Sequence, residues 1–119
     1  MDEEKLIHDW LVRKLKERLS RDYNEIQDNI EGQRHEFDDC YPDIILGNHG
    51  MVLAVLEVET EHSINSGKAA EWKRIAESGT KLILMVPKKS VKYVTSLLWE
   101  QGIMDKASIG TYDVVIAMP

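Results

Sequence analysis

Leu6, Ile7, Trp10, Leu11, Leu15 and Leu19 recur at three- and four-residue spacing, the period of a helix with one apolar face, and predict an amphipathic helix over residues 3–20. "YNEIQDNI" (23–30) gives a weaker strand signal. "PDIIL" and "MVLAVLEV" are short, rich in β-branched residues and separated by "GNHG", which predicts a hairpin. Apolar residues of both parities fill Met51 to Leu56, so that strand is expected to be covered on both faces and central in its sheet. Asn65 or Ser66 can cap a helix running to about Glu77, with Gly79 as its stop. "KLILMVP" (81–87) reads as a fully buried strand, "SVKYVTSLLWEQG" (90–102) as a helix capped by Ser90, and "YDVVIAM" (112–118) as a last strand. The order αβββαβαβ joins a hairpin to βαβ crossovers, which gives an α/β three-layer domain with a mixed central sheet.

The hairpin also organises three acids. A three-residue loop, Asn48-His49-Gly50, would make Gly47 oppose Met51 and Asp43 oppose Val55. Glu57 is then the diagonal neighbour of Asp43 on the same sheet face, roughly 7–8 Å away, and Glu59 points to that face as well. Three acids on one face of a central strand are costly to bury unless something positive meets them. Oxygen ligands at this spacing suit a hard divalent cation such as magnesium, which keeps waters and accepts a phosphate oxygen. The alternative is that Glu57 and Glu59 emerge into solvent where the strand ends.

Composition narrows the classes. A chain of 119 residues is the usual size of one domain, with no repeat, low-complexity segment or linker. Its first residues are acidic and lead into the helical pattern without a secretory signal, and no apolar run approaches the roughly 18 residues of a membrane span. A single cysteine, Cys40, excludes an internal disulfide. A cytoplasmic location, without membrane partners, is expected. The net charge of −6 argues against constitutive coating of nucleic acid, although Arg13, Lys14, Lys16, Arg18 and Arg21 cluster against the single acid Glu17. Those cations either complement the helix dipole or offer a transient phosphate contact.

Pro42-Asp43, a gap of thirteen residues and Glu57-Val58-Glu59 together resemble the PD-(D/E)XK nuclease superfamily. The order αβββαβ over roughly residues 3–87 looks like its common core. "EVETEHSIN" followed by "AAEWKRIAESGTKLILMVP" resembles a group of predicted nucleases in which Glu-x-Glu-Thr replaces acid-x-Lys. The resemblance implies a restriction-endonuclease-like fold and Mg2+- or Mn2+-dependent hydrolysis of DNA, with Asp43, Glu57 and the Val58 carbonyl as metal ligands. Glu59 stands where the superfamily has a lysine, whose loss could cost on the order of 3 kcal/mol of transition-state stabilisation. Glu59 would then be a further ligand or orient the attacking water. Lys68 and Lys73, on the helix that follows, are the available replacements. Lys68 is preferred because it shares a face with Trp72, Ile75 and Ala76; otherwise it is a surface lysine of the first turn. The other reading implied is a catalytically degenerate member serving as a binding or assembly module.

The remaining signals are weaker. Lys88, Lys89 and Lys92 could grip a nucleic-acid backbone at the start of the third helix. Glu4 or Glu25 could supply the glutamate often found upstream of the motif. His8, His35, His49 and His62 lack the spacing of a zinc site, and Cys40 has no histidine nearby that would make it a nucleophile. Trp10, Trp72 and Trp99 fall on apolar helix faces and read as core or interface anchors. Val91, Val94, Leu97, Leu98 and Trp99, with Tyr93, give the third helix more apolar surface than one sheet face covers, which points to a homodimer through that helix or the "YDVVIAM" strand.

Overall fold

The computed structural model describes residues 3–115. Its elements follow the expected order: α1 (Glu3–Leu19), β1 (Glu25–Asp28), β2 (Ile44–Asn48), β3 (Met51–Val58), α2 (Ser66–Glu77), β4 (Lys81–Pro87), α3 (Val91–Gln101) and β5 (Ala107–Tyr112). The strands form one sheet in the order β1-β2-β3-β4-β5. Its first two pairings are antiparallel and its last two parallel. The sheet is therefore mixed, with β3 at its centre.

Both βαβ crossovers advance in the same direction along the sheet, and right-handed connections put their helices on one face. There Trp72 and Ile75 of α2 and Val94 and Leu98 of α3 pack on Val55, Leu82, Leu84 and Val86. The opposite face is left to α1, whose Leu11 and Val12 pack with Ile44, Leu46, Ala54, Leu56 and Val58. Arg13 pairs with Glu31 and Lys16 with Asp28 at 2.6 Å. Two cations of the basic cluster thus clamp α1 to β1 and the loop beyond it.

Five expectations need correction. The hairpin turns through two residues, His49 and Gly50, with φ of 56° and 76°, the positive pair that such a turn requires. Leu53 then bulges out of the ladder between the pairs Gly47↔Val52 and Leu46↔Ala54. Glycine is required at 47, because a Cβ there would meet the Met51 carbonyl oxygen at 2.5 Å. β3 is buried only from Ala54 onward; Met51, Val52 and Leu53 project past the helices and are exposed. In β4 only Leu82, Leu84 and Val86 are buried, because α1 covers the opposite face incompletely.

Ser90 does not cap α3 with its side chain: a short 3-10 turn, Lys88–Ser90, precedes the helix and holds Ser90 in helical geometry. The last strand lies earlier than its apolar run suggested. Pairing of Leu82 with Ala107 through Pro87 with Tyr112 sets β5, and residues 113–115 lie outside it. Residues 116–118 of "YDVVIAM" lie outside the described residues. Val94, Leu97 and Leu98 of α3 are spent on the chain's own sheet, while Tyr93 and Trp99 stay exposed. Trp72 is a core residue, whereas Trp10 and Trp99 are exposed. Among the described residues no helix is long and apolar enough to cross a membrane.

Candidate active site

The two-residue turn shifts the hairpin register by one residue from the expected one, and the bulge at Leu53 shifts it by one more. Ile44 pairs with Leu56, so one further step sets Asp43 opposite Glu57 rather than opposite Val55. A shift of two preserves parity, and the acids still share a face. The side chains and backbones interlock. The Asp43 amide donates to Glu57 Oε1 at 2.9 Å, and the Val58 amide donates to Asp43 Oδ2 at 2.7 Å. In a strand the N–H and C=O of one residue point to the same side, so the Val58 carbonyl also faces Asp43.

Glu57 and Glu59 do not emerge into solvent: they are 6% and 2% exposed. The turn after β3 explains why they can be buried. Asn65 caps α2 by accepting from the Lys68 amide at 2.8 Å, which begins the helix where its first turn overhangs the strand end. The Lys68 ammonium then lies 3.6 Å from Glu57 Oε2, 3.9 Å from Glu59 Oε1 and 3.5 Å from Glu71 Oε2. Lys73 faces away and pairs with Glu77 at 3.7 Å. Glu59 has two further partners: Trp72 Nε1 donates to Oε2 at 2.9 Å, and the Ser63 hydroxyl to Oε1 at 3.1 Å. Its backbone is fixed as well, by N–H donation to the Met85 carbonyl at 2.8 Å and by a hydrogen bond from the Tyr112 hydroxyl to its own carbonyl at 2.6 Å.

α1 contributes a residue that the sequence did not single out for the site. His8 Nε2 lies 2.9 Å from Asp43 Oδ1, and its Nδ1 lies 2.8 Å from Asp9 Oδ1. Burial opposes the positive charge of His8, but the two aspartates outweigh it and push its pKa up to about 9, so both ring nitrogens donate at neutral pH. Burial first, and then the Asp43 charge, raises Glu57 to about 8. Burial raises Glu59 to about 7 despite the attraction of Lys68 and the Trp72 hydrogen bond. Burial works against Lys68, but Glu59 and Glu57 outweigh it and hold the amine protonated. The arrangement is a buried carboxylate cluster whose acids gain from any added positive charge.

A cleft of about 360 Å³ opens on this cluster, lined by His8, Asp43, Val58, Glu59, Ser63 and Lys68 among others. Glu57 is not among the residues that line it. Glu4 lines the cleft too and pairs with His62 Nδ1 at 2.5 Å, whereas Glu25 accepts from the Gly50 amide at the far end of the hairpin. Of the two upstream acids, the structure brings Glu4 to the site. Lys88 and Lys89 line a neighbouring cavity, and Lys92 is exposed on α3. Burial raises the pKa of the Cys40 thiol, which disfavours the thiolate that a nucleophile needs. No family model matches this chain, and no match was found among curated proteins or solved structures.

Proposed function

We propose that this chain is a magnesium- or manganese-dependent nuclease of the PD-(D/E)XK type, with the restriction-endonuclease-like form of the three-layer fold, that hydrolyses phosphodiester bonds in DNA. The observation that carries this reading is Lys68, whose ammonium reaches 3.6 Å from Glu57 and 3.9 Å from Glu59: a lysine from α2 stands beside the position where the motif lacks one. Asp43, Glu57 and the Val58 carbonyl would hold the cation. The donors are all oxygen, as a hard divalent ion prefers, and burial followed by the Asp43 charge raises the pKa of Glu57, a shift that a bound cation would oppose. Once bound, such an ion activates water for attack and screens the phosphate.

The chain's own residues supply the rest. Lys68 offers a fixed positive charge to the negative charge that develops around phosphorus. Glu59 positions Lys68, which lies 3.9 Å away, and is itself held by Trp72 and Ser63. His8 orients Asp43. Incubation with DNA and RNA in magnesium or manganese tests the reading. Cleavage that is abolished by Asp43→Ala and reduced about a hundredfold by Lys68→Met supports it. No cleavage of any substrate, with wild type and Asp43→Ala indistinguishable, rejects it.

A second reading is a catalytically degenerate domain of the same fold acting as a binding or assembly module. It is favoured by the closure of the site on itself: among the described residues no buried side-chain polar atom lacks a hydrogen-bond partner. Calorimetry separates the two. No heat on titration with either metal, together with stability unchanged or raised by Asp43→Asn, marks the degenerate module.

A further inference from the structure

We infer that the larger cavity beside the carboxylate cleft receives one unpaired nucleotide, so that the ligand is single-stranded DNA; the identity of the strand that is cut rests on the nuclease reading above, whereas binding in the cavity does not. The cavity measures about 530 Å³; Ile7, Pro87, Tyr112 and Val114 line it together with Lys88 and Lys89 and the acids Glu61 and Asp113. That size falls within the range of about 300–1,000 Å³ typical of small-ligand sites. It shares Glu4, Thr60 and His62 with the carboxylate cleft, so a chain lying across both would place one residue in the cavity and its phosphate beside Lys68.

The walls suit a base. Ile7, Pro87 and Val114 are apolar, and the Tyr112 ring is immobilised by its hydroxyl, which donates to the Glu59 carbonyl at 2.6 Å. An anchored aromatic beside apolar walls is a stacking platform, and stacking contributes about 1–3 kcal/mol per base whatever the sequence. Lys89 is held by Glu61 at 2.8 Å; Lys88 beside it is exposed and available to a phosphate. A duplex fits poorly for two reasons. Its bases are stacked and paired, so that none enters a pocket without being extruded. A net charge of −6 also opposes the dense phosphates of a duplex as a whole, and the exposed cations of α1 are not among the residues lining the cavity, so affinity there must come from the base.

Fluorescence anisotropy of the full chain, without divalent cation and at low salt, with a labelled single-stranded DNA oligonucleotide and the blunt duplex of the same sequence tests the inference. Val114→Trp fills the cavity from its exposed rim and leaves Asp43, Glu57 and Glu59 untouched. The expected result is at least about tenfold tighter binding of the single strand than of the duplex, weakened about tenfold by Val114→Trp. Equal affinity for the two, preference for the duplex, or a folded Val114→Trp that binds as wild type overturns it. Cleavage of the same strands in magnesium is read separately. Cleavage-sensitive sites absent throughout would reject the nuclease reading while binding in the cavity stood, and cleavage of the duplex with no single-strand binding would reject the cavity's role alone.

Discussion

The Asp43 amide donates to the Glu57 carboxylate at 2.9 Å while the carboxylate of Asp43 takes the amide of Val58, the residue after Glu57, so each acid is held by the other's strand. Glu57→Gln preserves size and the acceptor for the Asp43 amide and removes only the buried charge. Because Glu57 is raised to about 8, it is already neutral at pH 5, and the substitution is expected to leave stability there nearly unchanged. At pH 9 it should stabilise the metal-free protein by about 1–2 kcal/mol. Denaturant melts at the two pH values read the difference, and equal effects at both would contradict the burial argument.

Stability of the metal-free protein is expected to fall as pH rises from about 5 to 9. Glu57 and Glu59, raised by burial to about 8 and about 7, bind protons more tightly folded than unfolded, so the folded state loses ground as pH climbs past their unfolded values. His8, raised to about 9 by Asp43 and Asp9 against its burial, contributes stability that is complete below its unfolded pKa and lost as pH passes through 9. All three contributions have the same sign. A combined loss of about 2 kcal/mol would lower Tm by roughly 8 °C. A Tm that is flat or rising between pH 6 and 9 would refute this.

Lys68 is 29% exposed at its side chain and still the one cation facing both Glu57 and Glu59 among the described residues. Lys68→Met keeps the apolar stem and removes the ammonium, which leaves two buried acids without their partner. The expected cost at pH 8 is about 2 kcal/mol, below the figure for a fully buried pair because solvent reaches the amine. At pH 5 the acids are protonated and the cost should nearly vanish. Lys73→Met, on the face paired to Glu77, is expected to stay within about 0.5 kcal/mol at either pH. Equal losses from the two substitutions would remove Lys68 from the site.

The contrast between these lysines was legible in the helical period: Lys68 lies one turn before Trp72, and Trp72 is buried. Element order was legible for the same reason, since each apolar run or period has a fixed geometry. The hairpin register was not, because the shorter turn through His49-Gly50 and the bulge at Leu53 each move it by one residue and neither leaves a mark in the apolar pattern. "ASIGTY" was overlooked as a strand because β5 is a half-exposed edge whose place is dictated by pairing with β4, while the apolar run after it drew the assignment. His8 was hidden by distance: 35 residues separate it from Asp43, and only the lay of α1 across the sheet brings them together.

Trp72 joins the core to the site. Its ring is fully buried on the α2 face, and its indole N–H donates to Glu59 Oε2 at 2.9 Å. Trp72→Phe removes the donor and leaves a void, so a loss of about 2–4 kcal/mol is expected. Part of that loss belongs to the hydrogen bond and part to the cavity, and a double-mutant cycle with Glu59→Gln separates them. The two substitutions should couple by about 1 kcal/mol or more, because a buried carboxylate oxygen deprived of its donor is costlier than an amide oxygen in the same place. Deprived of that donor, Glu59 should also titrate higher, since the hydrogen bond from Trp72 favours its charged form; the fall in stability between pH 5 and 9 then becomes steeper in Trp72→Phe than in wild type. Strict additivity in the cycle, with an unchanged pH slope, would mean that Trp72 serves packing alone.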